Sequence, residues 1–181
     1  FPTRRSSDLF AAVQTIAKQI KGPIIAGLAR CVAKDIDAAG AEVYRNNAAR
    51  YLARLEALDA EIRTSVATLG SRTVVTFHDA FPYFLRRYGL DLVGVIEEKP
   101  GVEPSPRYIS QLLQVVRVRQ VKAIFTEPQF SPKLAKRLAA DVGVGVGELD
   151  VLETGRPSAS FYEDGIRKNL RMLEQHLRKT P

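Results

Sequence analysis

The chain has 181 residues, 45% of them hydrophobic, and 27 Lys+Arg against 20 Asp+Glu give it a formal charge of +7. That is enough for one good core or two small ones; no apolar run reaches about 18 residues, so no transmembrane segment is expected, and one cysteine, Cys31, excludes an internal disulfide and a multi-cysteine zinc site. The basic residues (Arg45, Arg50, Arg54, Arg63, Arg86, Arg87, Lys133, Lys136 and Arg137) are scattered, without an aromatic platform or binding motif; they read as solvated helix faces, and no nucleic-acid partner is expected.

Residues 1–9, FPTRRSSDL, resemble the in-frame translation of a common sequencing adapter and are set aside as non-native. They lack the apolar centre of a secretory signal, so no signal peptide is expected in this sequence. Residues 10–40 read as an αβα fragment. Val13, Ile16, Ala17 and Ile20 keep helical spacing, Lys21-Gly22-Pro23 breaks it, Ile24 to Ala29 is a short strand, and Val32 to Ala39 restarts a helix. Cys31 sits in this apolar stretch as a buried structural thiol.

From Ala41 the pattern changes. Val43, Tyr44, Ala48, Tyr51, Leu55, Leu58, Ile62 and Val66 recur at three- and four-residue steps, predicting one long amphipathic helix to about Thr68, stopped by Gly70. Its length suits a strut between two lobes, so residues 41–70 are assigned to an interlobe helix and 71–181 to a second lobe. In that lobe, strands at Thr73–Phe77, Leu92–Ile96, Val121–Phe125 and Val144–Leu149 alternate with helices. The helices run over Phe81–Tyr88, from Ser105-Pro106 to Arg119, from Ser131-Pro132 to Asp141, and along Tyr162, Ile166, Leu170, Leu173 and Leu177. Serine followed by proline marks an N-cap and N1 at two of these starts, and Asp79 is the expected cap of the first. Glu97 to Glu103 is a surface loop, and glycines 143, 145 and 147 weaken the last strand. The fold class is α/β, a four-stranded parallel sheet flanked by helices.

In an open parallel sheet, ligands gather beyond the carboxyl ends of the strands. His78, Glu127 and Asp150 stand at three such ends. An imidazole with one or two carboxylates suits a borderline cation such as Zn²⁺. Each has a plainer reading: His78 bonding a loop carbonyl, Glu127 capping or pairing with a basic neighbour such as Lys122, Asp150 capping the next turn. His176, on a basic C-terminal helix, is expected to face solvent. Gly143-Val-Gly-Val-Gly has only the composition of a phosphate loop, since it precedes a strand. His78-Asp79 lacks a nucleophile, and no Gly-x-Ser-x-Gly or Walker motif occurs.

VTFHDAFPYFLRRYGL, EPSPRYISQLL, VKAIFTEPQFSPKLAKRLA and ELDVLETG, together with the long helix from 41, resemble the C-terminal half of zinc/manganese ABC-transporter substrate-binding proteins. The resemblance implies a periplasmic or surface-held monomer that captures a metal between two α/β lobes and passes it to a membrane permease, without catalysis. It implies that His78 matches the family's third histidine ligand and Asp150 its late carboxylate. Histidine at 78, where manganese-type members often carry Glu, favours Zn²⁺ over Mn²⁺. Pro82 stands where the family usually has Gly, and the Gly-rich approach to Asp150 departs from its pattern.

Residues 10–40, AVQTIAKQIKGPIIAGLARCVAKDIDAA in their centre, resemble a segment of 2-isopropylmalate synthase and hold no histidine. The chain therefore reads as a composite: adapter, synthase fragment, then half of a binding protein that keeps two of four metal ligands. The alternative is a fragment of an acyl-transferring synthase-like enzyme, inactive because its His-x-His pair and strand-borne Arg/Asp are missing.

Overall fold

The computed structural model describes residues 39–99, 101–156 and 158–178. Residues 1–9, the αβα segment up to residue 38 and Cys31 lie outside the described residues. Contacts divide the chain into a unit Phe1–Ile62 and a unit Arg63–Pro181. Helix α1, Ala41–Ala67, is one continuous helix of 27 residues, roughly 40 Å at about 1.5 Å per residue. Its buried positions Ala48, Leu55, Leu58, Ile62 and Val66 fall on the expected stripe. At its end the N–H groups of Gly70 and Ser71 donate to the Leu177 carbonyl at 2.8 and 3.0 Å, which turns the chain out of the helix. No helix among the described residues is long and apolar enough to cross a membrane.

The second unit carries strands β1 (Thr73–Thr76), β2 (Asp91–Val95), β3 (Ala123–Thr126) and β4 (Gly145–Glu148). Between and after them come helices α2 (Pro82–Arg87), α3 (Pro106–Val118), α4 (Lys133–Val142) and α5 (Phe161–Leu177). The strands form one parallel sheet in the order β2-β1-β3-β4. This is the α/β lobe with a four-stranded sheet that the alternating pattern predicts. Side chains alternate across it with period two. Val75 and Ile124, paired in register, join Leu112 and Val116 of α3 and Ala135, Leu138 and Ala139 of α4 in one core. Phe125, on the opposite face, meets His176 of α5 edge-on, with ring centroids 6.0 Å apart. Both faces are thus covered, as a parallel sheet requires.

Four local expectations are corrected. Asp79 is exposed and caps nothing: α2 starts at Pro82, so the cap position falls on buried Phe81, which has no side-chain acceptor. Ser131 is likewise one residue early, because Pro132 itself occupies the cap of α4. Ser105 does cap α3, accepting from the Tyr108 N–H at 3.2 Å. His176 does not face solvent but lies over β4. A Cβ at Gly145 would come within 2.7 Å of its Nδ1, and one at Gly147 within 3.0 Å of its Cδ2 and 2.7 Å of Phe125 Cε1. The glycines that weaken β4 on paper make the space that the imidazole and the Phe125 ring fill. The fourth correction, at Glu97, belongs to the site.

Candidate metal centre

Each strand ends by sending one polar residue past the carboxyl edge of the sheet. In sheet order these are Glu97 after β2, His78 after β1, Glu127 after β3 and Asp150 after β4. Ladder hydrogen bonds continue beyond the strands and set the register: Glu97 N–H donates to Phe77 O at 2.8 Å, Phe77 N–H to Phe125 O at 2.8 Å, and Leu149 N–H to Thr126 O at 2.8 Å. His78 therefore stands between two carboxylates. Its backbone is held as well, the Thr76 hydroxyl donating to its carbonyl at 2.7 Å.

Nδ1 of His78 lies 2.9 Å from Glu127 Oε1, and Nε2 contacts Glu97 Oε2. An ionised carboxylate only accepts, so the ring N–H groups are the donors. The imidazole is 10% exposed and the Glu127 side chain 4%. Burial alone pulls the His78 pKa down; the hydrogen bonds and charge of Glu127, then of Glu97, outweigh it, and the pKa stands above its ordinary value. The other oxygen of Glu127 accepts from the Gln129 amide at 3.1 Å, so this carboxylate is fixed at both ends. The expected pairing with Lys122 is replaced by these contacts, because Glu127 points along the edge to β1 while Lys122, just before the start of β3 at the opposite end of the strand, is exposed. Phe77 and Phe130 wall the imidazole, with ring centroids 4.8 and 4.1 Å away.

Glu97 is the residue that sequence reasoning missed. Instead of belonging to a surface loop it is tucked in, its side chain 14% exposed. Ile96 before it is fully buried, and the Tyr108 hydroxyl of α3 donates to the Val95 carbonyl. Burial, then the nearby charge of Glu98, pushes the Tyr108 pKa up, so that hydroxyl stays a donor. The available signal is an offset: Glu97 follows the end of β2 by two residues, as His78 follows β1 and Asp150 follows β4.

Asp150 lies at the same edge, on the strand beyond β3. Two strand spacings of about 4.8 Å put its backbone roughly 10 Å from that of His78. Asn169 of α5 brackets it, accepting from Asp150 N–H at 2.8 Å and donating to Asp150 O at 2.7 Å. Oδ1 of Asp150 accepts from Leu152 N–H at 2.8 Å, the turn cap that its position predicts. Among the described residues no group of three His, Cys, Asp or Glu side chains is gathered as a metal cage. The donors that are present, an imidazole and carboxylates, suit a borderline divalent cation.

The family described as zinc-uptake complex component A, periplasmic (ZnuA), matches residues 13–176. The chain belongs to that family. The high-affinity zinc uptake system protein ZnuA of Brucella suis is 32% identical over 156 residues, 84% of this chain and 47% of that protein. This chain thus spans about half the length of the curated relatives it matches. The laminin-binding protein Lmb of Streptococcus agalactiae, described as bifunctional with adhesin and metal-transporting activity, superposes with a TM-score of 0.74 at 31% identity, over 84% of this chain and 59% of its own. A Zn(II)-bound mutant of AdcAII from Streptococcus pneumoniae superposes with a TM-score of 0.70 at 28% identity, over 83% and 54%. The family match also runs through residues 13–40, the stretch that resembles a synthase.

Proposed function

We propose that this chain is part of a zinc-capture substrate-binding protein, which takes a cation between two α/β lobes and delivers it to the membrane permease of an ABC importer. Its working place is the periplasm or the outer surface of the membrane, and it acts as a monomer. His78, through Nε2, and Asp150, through its carboxylate, are the ligands supplied by the lobe 71–181, with α1 as the strut to the other lobe. Zn²⁺ is favoured over Mn²⁺ because imidazole is the better ligand for zinc. Binding without chemical turnover is the whole of the activity proposed.

One observation carries this reading: the carboxylate of Glu127 on Nδ1 of His78, at the carboxyl edge of a parallel sheet. Metal-ligating histidines donate their second ring N–H to a carboxylate or carbonyl in this way, which fixes the ring and raises its basicity. The Asn169 bracket similarly fixes the backbone of Asp150. Calorimetric titration of the 181-residue chain with zinc tests the reading. Saturable heat that His78→Ala abolishes supports it; no saturable heat, with the variant indistinguishable, contradicts it.

The composite origin of the N-terminus belongs to the same proposal. The wording of residues 1–9 and 10–40 supports an adapter and a synthase-derived segment; the family match from residue 13 weighs against the second. Sequencing reads mapped across Ala39 to Glu42 decide it, a break in coverage supporting a join and even coverage opposing one.

A further inference from the structure

Resting on that reading, we infer that Glu97 is itself a ligand of the captured cation, paired with Nε2 of His78. Nothing in the resemblance assigns a role to this position, and the proposed ligand pair leaves its contact with Nε2 unused. The two carboxylates flanking His78 are not equivalent. Glu127 holds Nδ1 with one oxygen and Gln129 with the other, so it serves as a positioning residue for a ring nitrogen that keeps its proton. Glu97 faces the nitrogen that would bind metal.

A hydrogen-bonded imidazole–carboxylate pair is close to a two-ligand metal site with a proton in place of the cation. At ordinary zinc–nitrogen and zinc–oxygen distances and a tetrahedral angle, the two donor atoms sit about 3.3 Å apart. Admitting the cation therefore asks for a small separation of Nε2 and Oε2, and the shared proton passes to solvent. The alternative, in which zinc displaces Glu97, must move a largely buried carboxylate away from a divalent charge. Its backbone also resists, held by Glu97 N–H on Phe77 O and by Tyr108 on Val95. Along the edge Glu97 follows β2, beside His78, while Asp150 follows β4, two strands from His78 and beyond Glu127, so zinc held by the first two is bound on the β2 side of the imidazole.

The test is zinc affinity, measured by competition with a chromogenic chelator on the full chain and on Glu97→Gln, Glu97→Asp and His78→Ala, with the zinc-free melting temperature of each recorded to verify folding. A ligand role predicts binding weakened by roughly tenfold or more in Glu97→Gln, with Glu97→Asp recovering part of the loss and no binding in His78→Ala. Equal or tighter binding by Glu97→Gln, with His78→Ala still abolishing it, would mean that Glu97 competes with the metal, and would overturn the inference while leaving the capture reading intact. Absence of zinc binding by the unaltered chain would overturn both. If Glu97→Gln fails to fold, Glu97→Asp decides: affinity equal to that of the unaltered chain overturns the inference.

Discussion

Nδ1 of His78 sits 2.9 Å from Oε1 of Glu127 across the β1–β3 pair, both side chains at least nine-tenths buried. The bond fixes the ring plane and aims Nε2 along the edge towards Glu97. It also gives the imidazole a negative neighbour in a site of reduced dielectric, where that charge counts for more than it would in water.

Replacing Glu127 should therefore weaken zinc binding without removing a ligand. Glu127→Gln keeps an acceptor for Nδ1 but loses the charge, and Glu127→Leu loses both. Affinity should fall in that order, by about 10- to 100-fold for the leucine variant. Parallel zinc competition assays on the two variants read this directly; equal affinities would separate Nδ1 from the function of the ring.

The two histidines should give opposite pH dependence to the stability of the zinc-free chain. The His78 pKa is raised in the folded state, so its contribution is fully present below about pH 6.5 and is lost as pH rises through the folded pKa. Burial lowers that of His176, so its contribution is present above about pH 6.5 and is lost as pH falls through the folded pKa. Melting curves in chelator between about pH 5 and pH 8 should show His78→Gln losing most, relative to the unaltered chain, at the acid end. His176→Gln should compare best with the unaltered chain at that same end. Parallel pH profiles for all three proteins would contradict both assignments.

Asn169 makes two hydrogen bonds to the backbone of Asp150 from a nearly buried position. Asn169→Leu leaves both backbone groups without those partners and should cost about 1–3 kcal/mol in urea unfolding. Because the bracket sets where Asp150 stands, zinc affinity should fall too, while Asn169→Asp, which can still accept from the Asp150 N–H, should lose less. Unchanged affinity in a folded Asn169→Leu protein would detach Asp150 from the site.

The glycines of β4 predict a pairwise effect. Gly145→Ala brings a Cβ against His176 alone among nearby side chains, whereas Gly147→Ala also meets Phe125. Each should destabilise by about 1–3 kcal/mol through overpacking. Adding His176→Ala should relieve much of the cost at Gly145 and less at Gly147, as a double-mutant cycle would measure. No relief at Gly145 would show that the ring is not what crowds it.

These residues also mark how far the sequence could be read. TVVTF, AIFT and the Gly or Pro that follows each apolar run carry the β–α alternation plainly, and the sheet forms where they stand. His78, Glu127 and Asp150 were legible because each polar residue closes such a run. Glu97 was not, since Glu-Glu-Lys-Pro-Gly has a loop's composition, and its burial depends on register with β1 and on Tyr108 from a later helix. His176 was misread for a related reason: helical spacing gives its place on α5, but only the missing Cβ atoms on a distant strand make room for the ring. Pairings between elements, unlike the elements themselves, leave little trace in local composition.

The central claim is that Nε2 of His78 takes the cation while Nδ1 keeps its proton on Glu127. Nitrogen-15 NMR of histidine-labelled protein during zinc titration tests it most directly, because the whole chain contains two histidines. The account predicts a metal-dependent shift of His78 Nε2, a protonated Nδ1 throughout, and an unmoved His176. A titration in which both His78 nitrogens stay where they were, or in which only His176 responds, would contradict it.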